Sequence, residues 1–246
     1  MRTISLIAVL VAVTLAATAC IEVSVNDRRS IHASGDIETL VYDFSGFDAV
    51  AIADAFSAEI TAGDQFAVEV EVDHNLRDHL EVEVRNGELR IGLDGRARAR
   101  GDVVRRVRIT MPALSGLDVS GASRVALQGF DDPGGALDAS LSGASELRGD
   151  LVTADLRATL SGASNLQLVG SAESAALDLS GASRARLGAF EAVSLEAALA
   201  GASNADVAVS ERLGPLRLSG ASSLHYAGDP IVANVQTSGA STIGRR

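Results

Sequence analysis

The tripeptide Gly-Ala-Ser recurs seven times, with its glycine at Gly121, Gly143, Gly162, Gly181, Gly201, Gly220 and Gly239. Successive glycines are 22, 19, 19, 20, 19 and 19 residues apart. A nearly constant period of this size marks a solenoid, in which each repeat is one coil stacked on the last. The flanking residues say which kind. Each unit follows the pattern apolar-x-apolar-Ser-Gly-Ala-Ser-x-apolar-x-apolar, as in Leu177-Asp178-Leu179 before Ser180 and Ala185-Arg186-Leu187 after Arg184. Only the fifth copy departs, with Ala200 in place of the first serine. An apolar period of two is that of strands and excludes a helical solenoid. A third apolar segment, such as Phe190-Glu191-Ala192-Val193 or Ile231-Val232-Ala233, closes the coil. Three short strands in about 19–20 residues give an all-β, single-stranded parallel β-helix.

Residues 44–112, ahead of the repeats, also alternate. Phe66-Ala67-Val68-Glu69-Val70-Glu71-Val72 and Leu80-Glu81-Val82-Glu83-Val84 have apolar and acidic residues on opposite faces. Asn86-Gly87 between two such runs is a strong tight-turn signal. Counting seven repeat coils and about three before them, at about 4.8 Å each, predicts a rod near 50 Å long. With 47% hydrophobic residues but no Trp, the chain suits a narrow aliphatic core.

The first residues have the form of a secretory signal. Arg2 supplies the positive end, and Ile4 to Ala17 is an apolar run too short for a comfortable membrane span. It ends in Ala17-Thr18-Ala19-Cys20, small residues before the only cysteine of the chain. This resembles a lipoprotein lipobox, although Ala17 stands where leucine is usual. Residues 1–19 are then a lipoprotein signal peptide, and Cys20 is the acylated new N-terminus. More than one acyl chain gives stable anchoring to a membrane. The alternative is plain cleavage after Ala19, leaving a free thiol. Ile21 follows Cys20, not the Asp associated with inner-membrane retention, so an outer membrane, where the cell has one, is the expected location. Residues 20–43, polar and turn-rich, are expected to be a tether.

Phe-Ser-Gly-Phe-Asp-Ala-Val (44–50), the Asn86-Gly87-Glu88-Leu89 turn and the Ser-Gly-Ala-Ser rungs together resemble the bacterial "head GIN" domain family. That family is described as auto-transporter adhesin-like and has no assigned function. The resemblance covers roughly residues 40–243. It implies an exported, right-handed parallel β-helix over 44–243, with the Ser-Gly-Ala-Ser repeats at 117–243, often in a lipoprotein. It implies no catalytic residues and no cofactor.

The residues themselves point the same way. A net charge of −11 argues against nucleic acid as a partner. Seven equivalent serines cannot each have a base, and no Gly-x-Ser-x-Gly elbow occurs. Calcium-binding solenoids need acidic ladders, but the slot two residues before each Ser-Gly-Ala-Ser holds Asp118, Ser140, Thr159, Asp178, Ala198, Arg217 and Gln236. Asp73-His74 and Asp78-His79 match no standard metal spacing and are expected in a solvated loop. Arg96, Arg98, Arg100, Arg105, Arg106 and Arg108 form the one basic cluster, a candidate contact for anionic headgroups or an envelope polymer, set against a plain solvated face. The expected function is noncatalytic: envelope structure, adhesion or binding of a glycan or envelope polymer. The rivals are a carbohydrate-active enzyme on the same scaffold and end-to-end self-assembly into a homodimer through the last coil.

Overall fold

The computed structural model describes residues 29–246, so the expected signal peptide, Cys20 and the first part of the expected tether lie outside the described residues. Nine strands precede the repeats: β1 (Arg29–His32), β2 (Ile37–Tyr42), β3 (Ala49–Ile52), β4 (Ser57–Ala62), β5 (Ala67–Asp73), β6 (Leu80–Arg85), β7 (Glu88–Leu93), β8 (Ala97–Arg100) and β9 (Arg105–Met111). The repeats carry β10 (Gly116–Val119), β11 (Arg124–Leu141), β12 (Glu146–Leu160), β13 (Asn165–Leu179), β14 (Arg184–Leu199), β15 (Asn204–Leu218), β16 (Ser223–Ala227), β17 (Ile231–Val232), β18 (Val235–Thr237) and β19 (Thr242–Arg245). The chain is 67% strand, arranged as a β-solenoid of about six turns.

From β10 onward every pairing is parallel, each coil lying on the one before. The expected three short strands per coil merge into one long bent strand in β11 to β15 and separate only in the last coil, as β16, β17 and β18. The Ser-Gly-Ala-Ser units are the corners between successive coils. Irregular repeat lengths are absorbed as bulges. The long first step, from Gly121 to Gly143, matches register shifts between Leu127 and Phe130 and between Asp132 and Ala136. The one extra residue between Gly181 and Gly201 bulges opposite Gln167 to Val169.

The alternation turns one side of every strand into core. A single apolar column runs through coil after coil by direct register: Ile91, Ile52, Val119, Leu141, Leu160, Leu179, Leu199 and Leu218. All eight are at most 2% exposed. Identical leucines stacked at the inter-strand spacing bury each other above and below, so the core is long and narrow and needs few aromatics.

The first third of the chain departs from the expected coils. β3 and β4 do continue the stack, parallel to β10 and β11. Ala53-Asp54-Ala55-Phe56 stands between them in the place of a Ser-Gly-Ala-Ser corner. β7 and β9 lie parallel beyond β3 and β4. After that the pairing becomes antiparallel, with β6 on β7, β5 on β9 and β2 on β5. A 3-10 turn, His74–His79, joins β5 to β6, and its Leu76 is fully buried. This is a cap that closes the N-terminal end of the stack, not three more coils. Period two identifies strands but does not give their direction, and the Asn86-Gly87 turn makes β6–β7 a hairpin. Seven corners also bound only six intervals. At about 4.8 Å per step, the eight-member column from Ile91 to Leu218 spans near 34 Å and not 50 Å. The expected tether does not extend over residues 29–43. Within 29–43, β1 pairs with β8 and β2 with β5, so this stretch belongs to the cap.

Candidate functional site

The serine ladder is structural. The second serine of each corner from Ser123 to Ser222 is at most 1% exposed. In Ser145, Ser164, Ser183 and Ser222 the hydroxyl donates to the carbonyl three residues back at 2.8 Å, closing its own turn. A buried hydroxyl committed to a backbone carbonyl can neither attack a substrate nor contact a surface ligand. The glycines are packed coil on coil. Gly162 and Gly181 have φ of +72° and +75°, and a Cβ on either would stand 2.4 or 2.5 Å from the carbonyl oxygen of the glycine below. That same carbonyl accepts a hydrogen bond from the alanine of the next corner, Ala163 N–H to Gly143 O at 2.8 Å and Ala182 N–H to Gly162 O at 2.7 Å.

The two His-Asp pairs do not come together as a site. His79 Nδ1 lies 3.2 Å from Asp94, and His74 Nδ1 lies 3.2 Å from Glu38, at opposite ends of the 3-10 turn. Among the described residues no group of three or more His, Cys, Asp and Glu could hold a metal ion. Asp73 is not solvated, as the sequence suggested, but only 1% exposed. Burial pushes its carboxyl up. Hydrogen bonds from the backbone N–H groups of Val104, Gly35 and Ser34 and from the Ser34 hydroxyl outweigh that and hold it below the ordinary carboxylate value. One carboxylate thereby ties the loop before β2 and the loop before β9 to the end of β5.

The six arginines split into two groups. Arg106 and Arg108 stand on β9 opposite the acidic face of β5 and pair with Glu71 and Glu69. Hydrogen bonding to Glu71, and the charges of Glu71 and Glu69, raise the Arg108 pKa further. Arg105 donates to the Asp54 carbonyl at 2.9 Å, and its Nε is buried without a partner. Arg96, Arg98 and Arg100 lie elsewhere, in the excursion from β7 to β9 that carries β8.

Among the described residues, a wide depression lies away from both the corners and those six arginines. It has a volume of about 930 Å³ and crosses the third side of the coil from β11 to β15. Its shape follows from outward side chains in register. Asp155 of β12 continues into Ser174, Ser194 and Arg212, and Arg157 into Ala176 and Glu196. Ser174, Ala176 and Ser194 of the middle coils thus form a floor of short side chains beside Glu196, and the flanking coils raise Asp155, Arg157, Glu211 and Arg212 as walls. Among the described residues none of Asp138, Asp155, Arg157, Glu196, Glu211 and Arg212, all lining the trough, forms a salt bridge. The sequence signal was there in Ser171-Ala172-Glu173-Ser174-Ala175-Ala176, a run of small residues where other coils place larger ones. The repeat drew attention to the corners and away from this face.

A parallel β-solenoid with a hydrogen-bonded Gly-Ala-Ser corner ladder and an antiparallel N-terminal cap defines the class of protein. The chain belongs to the family described as "Putative auto-transporter adhesin, head GIN domain", which it matches over residues 46–230. No curated protein matches it. Among solved structures it is similar to a "putative adhesin" from Bacteroides fragilis NCTC 9343, with a TM-score of 0.78 and 20% identity over 88% of this chain and 100% of that one. It is also similar to a "putative lipid binding protein" from Parabacteroides distasonis ATCC 8503, with a TM-score of 0.68 and 17% identity over 89% and 100% of the two chains. A "putative adhesin" from Parabacteroides merdae ATCC 43184 has the same TM-score, 16% identity, and coverage of 88% and 99%. At these identities the likeness is one of fold.

Proposed function

We propose that this is an exported, noncatalytic, adhesin-like protein of the cell envelope, anchored through lipid on Cys20, that holds an extended polar ligand in the trough between β11 and β15. Family membership supports the adhesin-like role and the envelope location. The observation that carries the binding reading is the trough itself: a floor of short side chains between charges of both signs, of which Asp155 accepts a hydrogen bond from Ser174 and the others form no ion pair among the described residues. Arg157, Glu196, Glu211 and Arg212, none in a salt bridge among the described residues, are available to hydroxyls and charges of a glycan along the coils. Catalysis is the second reading, and it has a specific basis. Asp138, Asp155, Glu196 and Glu211 put carboxylates on neighbouring coils, the residue type a glycosidase needs.

The lipid anchor is tested by palmitate labelling of wild type and Cys20→Ser. Loss of label in the variant is expected, and equal labelling refutes the anchor. The trough is tested on a glycan array with wild type and Ala176→Phe, which fills the floor. Binding that the filled variant loses is expected. Binding unchanged by Ala176→Phe removes the trough as the site, and release of shortened glycan products replaces the noncatalytic reading with the enzymatic one.

A further inference from the structure

We infer that the outward face of the β1–β8 ribbon is a contact surface for anionic phospholipid headgroups, which orients the domain on its membrane. The ribbon is a two-stranded parallel sheet of its own, with Ser30 opposite Arg98, Ile31 opposite Ala99 and His32 opposite Arg100. Strand alternation sorts its two faces. Ile31 and Ala99 are partly buried against the core. Ser30, His32, Arg98 and Arg100 are exposed on the other side. Arg98 and Arg100 have no salt bridge among the described residues, unlike Arg106 and Arg108. Arg96, just before the ribbon, has a side chain 85% exposed and only a 4.0 Å approach to Asp94.

The 3-10 turn packed against β8 carries exposed Asp78 beside exposed Arg77, and two acidic groups flank β8 in the chain. Asp94 is engaged by His79 and by the Arg96 backbone N–H, and Asp102 follows Arg100 in the chain at an exposed position. The ribbon is therefore locally basic on a chain whose net charge is −11. An anionic surface repels most of this molecule and attracts this face.

The ribbon also lies where the chain leaves the described fold. It sits at the N-terminal end of the corner column, in the excursion over residues 94–104 that replaces a Ser-Gly-Ala-Ser corner. Arg29 lies nine chain steps beyond Cys20, a reach of at most roughly 32 Å. The inference rests on the reading of Cys20 as a lipid anchor, which brings the ribbon to a membrane surface. A headgroup layer is favoured over a free polyanion for the same reason: it is the anionic surface nearest to the ribbon. With the ribbon on the membrane, the trough on the later coils is held out from it.

The test uses the processed, full chain reconstituted into vesicles of phosphatidylcholine alone or of phosphatidylcholine with phosphatidylglycerol. Exposed arginines are modified with a dicarbonyl reagent and read by peptide mass spectrometry, with the exposed Arg217 as an internal reference. At roughly five-fold per arginine near an anionic surface, modification of Arg98 and Arg100 should fall about five-fold or more on the anionic vesicles only. High salt should restore it. The double variant Arg98→Glu/Arg100→Glu should leave Arg96 equally reactive on both vesicle types, while the charge-matched Arg184→Glu/Arg186→Glu keeps the protection of Arg98 and Arg100. Circular dichroism confirms that both variants fold. Protein bound to both vesicle types with equal modification overturns the contact surface and leaves the anchor standing. Binding to anionic vesicles alone, abolished by Arg98→Glu/Arg100→Glu, keeps the surface and removes the anchor. Binding to neither overturns both.

Discussion

Replacing Gly162 by alanine tests whether the corners are packed coil on coil, because the structure supplies its own control. Gly162 and Gly46 have nearly the same backbone angle, φ +72° and +73°. At Gly46 a Cβ would meet nothing within 4 Å. At Gly162 it would stand 2.4 Å from the Gly143 carbonyl oxygen and 3.2 Å from the Gly143 backbone N and C. Gly46→Ala therefore carries only the left-handed strain of an L-residue, about 1–2 kcal/mol. Gly162→Ala carries the same strain and must also push two coils apart. The carbonyl it meets is the acceptor for Ala163 N–H at 2.8 Å. Separating the coils until the overlap clears takes that bond out of range and leaves a buried donor or acceptor unsatisfied, about 1–3 kcal/mol.

The expected gap between the two variants is thus about 1–3 kcal/mol, on a total for Gly162→Ala of about 2–5 kcal/mol. The chain has no Trp and only two Tyr, so urea unfolding is best followed by far-UV circular dichroism, with equal slopes required before midpoints are compared. Asn165→Val at the adjoining outward position should change stability by less than about 0.5 kcal/mol. Equal destabilisation by Gly162→Ala and Gly46→Ala would show that the ladder of glycines answers only to backbone angle and that the stacking argument is wrong.

The hydroxyl bonds of the corners can be separated in the same assay. Ser164 donates to Ser161 O at 2.8 Å, and Ser164→Ala should cost about 1 kcal/mol. The Ser123 hydroxyl is buried without a partner, so Ser123→Ala should change stability by less than about 0.5 kcal/mol or raise it; the reverse order refutes the assignment. Asp73 sets an acid limit. Its folded pKa is depressed, so its contribution is fully present above the unfolded value, near 3.9, and is lost as pH falls through the lower folded value. Wild type should lose stability below about pH 4 more steeply than Asp73→Asn, and parallel pH profiles for the two would show that the carboxylate does not tie the cap. The terminal coil exposes Ile231 and Val235, at 75% and 46%, which suits end-to-end pairing through β16 to β19. Light scattering should give a dimer at high concentration that Ile231→Glu disperses, and a constant monomer mass rules the pairing out.

The repeat was legible because the corner is over-determined. A Cβ at the glycine meets backbone, bulk at the second serine meets core, and an apolar gap at the flanking positions breaks the Leu141–Leu218 column. Three separate constraints fall on consecutive residues, so they leave a periodic trace. The cap left no such trace. Alternation in β5 and β6 is the same whether a partner runs parallel or antiparallel, and only Asn86-Gly87 carried information about direction. The burial of Asp73 leaves no local trace for a related reason. A short polar stretch looks solvated unless the donors that surround the carboxylate are known, and those come from Ser34, Gly35 and Val104, distant in sequence.

The trough was hidden by the mechanism that made the fold visible. In a solenoid the inward positions of each coil are fixed by the coils above and below, whereas the outward positions answer only to solvent or to a ligand. Ser174, Ala176 and Ser194 could each be larger without disturbing the core, since they point away from it. Their shortness is not required by stacking. Long residues occupy the equivalent register positions in neighbouring coils, Arg157 beside Ala176 and Arg212 beside Ser194. A depression made of residues that the fold does not need to be small is the kind of feature that function can account for. The same argument applies to the β1–β8 ribbon. Burial of Ile31 and Ala99 explains why the strands lie there, but nothing in the packing requires Arg98 and Arg100 on the opposite face, where both stand exposed while the neighbouring β9 arginines are paired. The two surfaces left unexplained by stability lie at different places on the stack, one beside the first residues of the fold and one across its later coils. On the proposed reading, that separation would let one end of the stack face a membrane and its side face a ligand.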